Sequence, residues 1–519
     1  MDVEKRASLP HIVLFTLEAW GHVRPLCSFA AKLLSVKTAY ITFFTTNGFV
    51  DRTRKELSRH IPLDHGRFQD LVRIVGLGEG NMDNTFSHEL YPDFSIAFEK
   101  LVKEKPLNCS HCDAVFDAIP SPDVAIFDIF HPEPMQTARD VSFKPLKIYI
   151  WYPVGAGIFS MFAPVEKGGA GDPRIVISAE AEKSGRSIEE IAHEVFFNSH
   201  HQEVTPPGLP TMYNHEMHPQ EVRSEALSAS SWLSIFDSVD IADGIFILTA
   251  DELEPQASSV LKAWLGKETD SAFPVGPLLP PPEVRKKVID EDNISERAAD
   301  IDKLMDSVLE RLGNDSLLLI SFGSIFWPLN AEKIWAALDL IMEKGVPFVM
   351  CCGSYFADIP NDIREKVEKY SLGIMSHWGP QQAILNHPVT GWFLSHCGQN
   401  SCLESIIAGI PMICWPFYGD QAFNAANLTE NFGVAYELFE VRTGAHGLRD
   451  SYRLGRPPIG TIEAFREELS QVLDLAFNSD DGKQKRENMK KLQKTISSCW
   501  DEGGSSKAHF DRFVKTLEV

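Results

Sequence analysis

The sequence predicts an α/β protein of two Rossmann-like domains facing each other across a cleft, and three observations carry that prediction. The chain has 519 residues, too many for one ordinary core, so two domains of roughly 200 to 250 residues are the default. Apolar runs of strand length alternate with helical patterns in both halves, the pattern of parallel sheets flanked by helices. The alternation stops once, in a stretch rich in proline and then in charge, and afterwards restarts.

In the first half the candidate strands are residues 11–15, 39–44, 71–75, 123–127 and 147–151. Between the first two, Leu26, Phe29, Ala30, Leu33 and Leu34 share one face at helical spacing, and Pro25 suits a first turn, so a βαβ unit is predicted. From 155 to about 238 the rhythm breaks into polar and aromatic stretches, and this part is expected to decorate the first sheet and line a variable pocket. The linker opens at Phe273-Pro-Val-Gly-Pro277 and ends near Asp302. Beyond it, strands are predicted at 317–321, 347–351, 391–395, 412–415 and 434–438. The resulting division is an N-terminal domain, 1–273, a linker, 274–302, a C-terminal domain, 303–500, and a terminal stretch, 501–519. Sheets of this kind bind ligands at the carboxyl ends of their strands, so the cleft is where chemistry is expected.

Composition narrows the function. A formal net charge of −23 repels phosphate backbones and anionic lipid, which argues against nucleic acid as a partner. The run 12–17 is too short for a signal-peptide core, and no run of about 18 apolar residues predicts a membrane span. Nine scattered cysteines suit a reducing compartment, so a cytoplasmic protein is expected. Cys109-Ser-His-Cys112 has no second ligand pair, and it is read as structural.

Residues 378–421 carry the chemistry. The run 391–395 ends at His396-Cys-Gly398, and a helix is predicted from about Gln399 to Gly409. A strand-to-helix turn of this kind exposes backbone N–H groups at a helix N-terminus, and Gly398 lets an anion come close. His396, Asn400 and Ser401 can add hydrogen bonds to phosphate oxygens, and Glu404, one turn past Asn400, can serve a sugar diol. The plainer reading is a helix capped by Asn400 or Ser401 with His396 as a core residue.

The whole 44-residue window resembles the nucleotide-sugar signature of the family-one UDP-glycosyltransferases, the plant secondary product glycosyltransferase box. Its opening Trp378-Gly-Pro-Gln381, its internal His396-Cys-Gly-Gln-Asn-Ser-Cys-Leu-Glu404 and its closing Asp420-Gln421 are all in register. Family landmarks also lie outside it, at Ala242-Asp-Gly244, Asp251-Glu-Leu-Glu-Pro255, Pro274-Val-Gly-Pro277, Ser321-Phe-Gly-Ser324 and Glu502-Gly-Gly-Ser-Ser506.

The resemblance implies a GT-B fold, an N-terminal acceptor domain, a C-terminal UDP-sugar domain and a last helix crossing back onto the first domain. It implies that Trp378 stacks on uracil, Gln381 holds the base edge and Glu404 takes the ribose hydroxyls. His396, Gly398, Asn400 and Ser401 would face the diphosphate with Ser324 nearby, and Asp420 and Gln421 would hold the sugar. The family's tryptophan before the asparagine is Gln399 here, which leaves glucose, xylose and N-acetylglucosamine open, with glucose favoured by Gln421.

An acceptor hydroxyl needs a base at neutral pH. His22, in Trp20-Gly-His22, follows the first strand just ahead of the helix expected near Pro25. Asp128 ends the fourth strand at the same sheet edge, where it can orient His22 or simply cap a loop, and the resemblance favours a His–Asp dyad. His131, His200 and His201 are read as surface or loop residues. The expected reaction is direct displacement with inversion onto a small apolar hydroxylated acceptor, such as a terpenoid, with the UDP-sugar as co-substrate and no metal or other cofactor.

Three other readings compete with this one. Asp290-Glu-Asp292 and Asp300-Ile-Asp302 could bind a metal but lie in the acidic linker. Gly76-Leu-Gly78-Glu-Gly80 hints at a dinucleotide but does not complete GxGxxG. A non-catalytic binder of the same fold is the third.

Overall fold

The strands form where continuous apolar runs place them, in two wholly parallel sheets buried on both faces. The computed structural model describes residues 9–61, 63, 68, 70–80, 88–197, 201–222, 228–265, 271–280 and 297–518. The first sheet contains β1 (His11–Phe15), β2 (Tyr40–Thr45), β3 (Val72–Gly76), β4 (Val124–Asp128), β5 (Lys147–Tyr152), β6 (Gly244–Ile247) and β7 (Ala272–Pro274), in the order β7-β6-β5-β4-β1-β2-β3. The second contains β8 (Leu317–Ser321), β9 (Phe348–Cys351), β10 (Gly373–Ser376), β11 (Thr390–Ser395), β12 (Met412–Cys414) and β13 (Ala435–Glu437), in the order β10-β9-β8-β11-β12-β13.

In each sheet the strand order reverses at one point. It does so between β1 and β4, where Phe15 pairs with Phe127, and between β8 and β11, where Ser321 pairs with Ser395. Crevices at such points, outside the carboxyl ends of the strands, are where ligands bind in open parallel sheets. His22 and Asp128 follow one crevice, and Ser324 and His396 follow the other.

The helix after β1, α1 (Trp20–Val36), begins five residues earlier than Pro25 predicts, so His22 lies inside its first turn rather than ahead of it. Pro25 has no N–H for the Gly21 carbonyl. That carbonyl instead accepts a hydrogen bond from Asn400 Nδ2 of the other domain at 2.8 Å, which lets the helix run through the proline. The next helix, α2 (Asn47–Ser58), packs on α1.

Residues 155–238 decorate the first sheet in part, as expected, with Ile158, Phe159, Met161, Ile235 and Phe236 in the core on one of its faces. Helices α3 (Pro173–Ser184), α4 (Ile188–Phe197) and α5 (Ala229–Ile241) build a small cluster of their own around Ile177, Ala181, Ile191, Ala192 and Ala229. The stretch between α4 and α5 crosses to the second domain. There Glu216 accepts hydrogen bonds from Arg442 Nη1 (2.8 Å), Ser451 Oγ (2.6 Å) and Tyr452 N (2.8 Å), and Gln220 donates to Pro416 O (2.8 Å). Both Glu216 and Arg442 are buried, and a buried charge of either sign needs the other.

Helix α6 (Gln399–Ala408) follows β11, with Gly398 as its cap, and α7 (Asp420–Ala426) follows β12. The final helix, α8 (Ser505–Lys515), returns to the first sheet, where the Phe513 ring lies 4.8 Å from Phe246 and 5.8 Å from Phe29. Ser506 Oγ donates to Gly276 O at 2.5 Å. Among the described residues no helix is long and apolar enough to cross a membrane.

Candidate active site

A cavity of about 330 Å³ opens between the carboxyl edges of the two sheets. The first domain gives it an apolar wall of Leu17, Ile129, Phe130, Val154, Ile158 and Trp232. His22 lines it from the first domain as well, and Ser324, Trp378, Gln381, His396, Gly398, Asn400, Ser401, Asp420 and Gln421 line it from the second. Among the described residues of 155–235, only Ile158, Trp232 and Ile235 reach this wall, because α3 and α4 pack away from it.

His22 is held from three sides. Its Nδ1 lies 2.7 Å from Asp128 Oδ2, its carbonyl accepts from Trp151 Nε1 at 3.1 Å, and its α1 turn is tied to Asn400 through Gly21. Asp128 is fully buried, yet the same oxygen also accepts from Thr16 Oγ1 at 2.8 Å. Burial by itself pushes this carboxyl up, but the charge and hydrogen bond of His22, with His131 and Thr16, hold it below its usual value. An ionised Asp128 accepts a hydrogen bond from Nδ1–H and so leaves the lone pair on Nε2, the tautomer a general base requires.

His131 is not a surface residue. It is fully buried, stacked 4.7 Å from Phe15, with Nδ1 2.9 Å from Tyr91 Oη, and burial lowers it to about 4. His201 is exposed, with its ring 3.9 Å from that of Tyr213 and tilted by 32°, and His200 lies outside the described residues.

At the donor end, α6 presents its N-terminus with no side-chain cap. His396 sits between two glycines, since a Cβ at Gly323 or Gly398 would come within 2.7 or 2.5 Å of its Nε2. Burial lowers its pKa to about 4, so it meets a ligand as a neutral hydrogen-bonding ring. Ser401 Oγ accepts from Gln381 Nε2 at 3.3 Å, which leaves its own hydrogen for an anion. Asn400 spends one amide hydrogen on Gly21 O. Gln421 uses its carbonyl oxygen on Phe417 N and Tyr418 N, at 2.8 and 3.1 Å, so only its NH₂ remains for a ligand.

Glu404 departs from its expected place on the wall. Its side chain is 1% exposed, and its carboxylate accepts from Gln381 Nε2 (2.6 Å) and Gln382 Nε2 (2.8 Å) and pairs with Arg24 of the first domain. Arg24, Arg52 and Gln382 are site residues the sequence reading missed. No motif marks them, and only the closeness of Arg24 to His22 in the chain hinted at one of them. Gln399, where the family has tryptophan, donates from Nε2 to Leu248 O at 2.7 Å and thus ties α6 to the end of β6.

The rival motifs fall elsewhere. Asp300 and Asp302 lie in the first turns of the helix Ala298–Leu312, and Asp290 to Asp292 are outside the described residues. Cys109 accepts from Gly76 N at 3.3 Å and so ties a loop to the end of β3. Gly78 O accepts from Asn47 N at 2.8 Å, which uses that turn to start α2.

Comparison with known proteins agrees with this arrangement. A family model described as UDP-glucoronosyl and UDP-glucosyl transferase matches residues 247–451. UDP-glycosyltransferase eriJ of Hericium erinaceus is 30% identical over 517 residues, covering 96% of this chain and 97% of that protein. UDP-glycosyltransferase 73E1 of Stevia rebaudiana is 27% identical, covering 98% and 96%. Among solved structures, UGT2 of Phytolacca americana, complexed with UDP-2fluoro-glucose and pterostilbene, aligns at TM-score 0.65 and 20% identity over 98% of this chain and 100% of that one. A UGT transferase of Siraitia grosvenorii, in complex with UDP, aligns at TM-score 0.68 and 18% identity over 98% and 100%. The fold is therefore GT-B, and the full-length relative places the chain in the UDP-glycosyltransferase family, as an enzyme that takes its sugar from a UDP-linked donor.

Proposed function

We propose that the enzyme transfers glucose from UDP-glucose to a hydroxyl of a small apolar acceptor of the terpenoid kind, with inversion, and that it works in the cytoplasm. The observation that carries this reading is the His22–Asp128 pair, 2.7 Å apart, with His22 on the wall of a cavity that has both apolar and polar lining. The acceptor oxygen attacks the anomeric carbon, His22 Nε2 takes its proton, and UDP departs toward the α6 N-terminus, where backbone N–H groups, Ser401 and the neutral His396 meet the new charge. Trp378 stacks on uracil, Gln381 holds its edge, and Asp420 and the Gln421 NH₂ hold the sugar. The UDP-2fluoro-glucose complex of the Phytolacca enzyme supports glucose, and the leucine, isoleucine and tryptophan lining supports an apolar acceptor. Nine cysteines without a disulfide support a reducing compartment.

UDP release is the test, measured with UDP-glucose, UDP-xylose and UDP-N-acetylglucosamine against a mixed set of terpenoid alcohols and phenols. Release with UDP-glucose that requires a terpenoid alcohol is the expected result. Release only with another sugar, or only with phenols, would overturn that part of the reading.

Asp420 gives a second expectation. Burial raises its carboxyl to about 7, against hydrogen bonds from Asn424 and from backbone amides, with Glu254 adding repulsion. In the empty enzyme it is protonated below that pH, whereas sugar hydroxyls donating to it favour the ionised form. Donor binding at pH 7 should therefore release about half a proton, read from calorimetry in buffers of different ionisation enthalpy. Asp420→Asn should release none.

A further inference from the structure

Three arginines line the cavity among the described residues, all from the first domain: Arg24, Arg52 and Arg59. Arg59 is engaged by Glu56 Oε2 at 2.7 Å and by Gln382 Oε1 at 3.2 Å. Arg24 and Arg52 are placed differently, because each rests on a group assigned above to uridine. The Arg52 guanidinium lies 4.2 Å from the centre of the Trp378 ring and 3.9 Å from that of Trp20, a planar cation between one indole from each domain. Arg24 covers Glu404, whose side chain is 1% exposed. A flat ring on the indole and hydrogen-bond donors on the carboxylate are also what uracil and a ribose diol offer.

Charge indicates where the two arginines go when uridine takes their places. A UDP-sugar brings a dianionic diphosphate to the α6 N-terminus. His396 is held neutral there, so it supplies no cation. Arg24 follows Gly21 on α1, and the Gly21 carbonyl touches Asn400 in the first turn of α6, so this turn of α1 runs beside the anion site. Burial and then the charge of Arg24 lower Arg52 to about 10, with Glu56 opposing, so the two cations destabilise one another in the empty site. An anion between them removes that repulsion.

We propose that Arg24 and Arg52 are the first domain's contribution to donor recognition, holding the uridine subsite when it is empty and pairing with the diphosphate once uridine displaces them. This rests on the uridine subsite as read above. Uridine must compete with the arginines, while the diphosphate recruits them, so substitution acts in opposite directions on the two parts of the ligand.

The experiment is calorimetric binding of uridine and of UDP to the wild type, to Arg24→Gln/Arg52→Gln and to Arg24→Lys/Arg52→Lys, with thermal melting to check folding. In the glutamine variant uridine should bind as well as before or tighter and UDP more weakly, so that the ratio of their dissociation constants falls about tenfold or more. The lysine variant keeps the charge and should keep most of the ratio. A ratio that is unchanged or larger in the glutamine variant overturns the proposal. If Trp378→Ala and Glu404→Ala leave uridine affinity unchanged, the subsite itself is misassigned, and the proposal falls with it for that separate reason.

Discussion

His22→Ala is expected to lower kcat by about 100- to 10,000-fold while UDP affinity stays as it was. In the proposed reaction the loss is confined to turnover, because the ring's Nδ1 is committed to Asp128 and its Nε2 is assigned to the acceptor hydroxyl rather than to the donor. The backbone around it survives the substitution, since Trp151 holds the residue 22 carbonyl and Asn400 the Gly21 carbonyl, neither through the imidazole. Steady-state rates together with calorimetric UDP affinity check the split. A variant with wild-type kcat would remove His22 from the reaction.

Asp128→Asn should cost a comparable factor, on the order of 100- to 10,000-fold in kcat, for a different reason. The replacement has the same shape, but its amide donates where the carboxylate accepted. Two partners, Thr16 Oγ1 and His22 Nδ1, converge on one Asp128 oxygen, and an amide nitrogen there would turn the imidazole proton to Nε2. The base would then face the acceptor with its hydrogen rather than its lone pair. Ring ¹⁵N shifts of His22 would report the exchanged tautomer. Unchanged shifts with an unchanged rate would reduce Asp128 to a structural cap.

The strands at 11–15 and 317–321 were legible to the residue, because strands buried on both faces must be apolar without interruption, and turns bound them. The strands Gly244–Ile247, Ala272–Pro274 and Gly373–Ser376 were not read, whereas the equally short Phe348–Cys351, Met412–Cys414 and Ala435–Glu437 were: three or four residues are too few to show a period, so the reading turns on the flanking residues. The site divides in the same way. His396, Gly398, Asn400 and Ser401 stand together in the chain, so their shared turn could be seen before their positions were. Glu404 was placed on the right helix but with the wrong exposure, because its cover comes from Arg24, 380 positions away by residue number. Glu216 with Arg442 and His131 against Phe15 escaped for the same reason: a charge or ring whose partner lies far along the chain leaves no local pattern.

Pro25 has a thermodynamic consequence for domain motion. A backbone carbonyl in a helix normally has its own chain to fall back on, but Gly21 has none, because residue 25 offers no hydrogen. Parting the halves would leave that oxygen to water alone, and the lost hydrogen bond is worth about 0.5–1.5 kcal/mol. A two- to roughly tenfold bias toward the shut enzyme is thus written into one imino acid next to the base, before any donor has arrived.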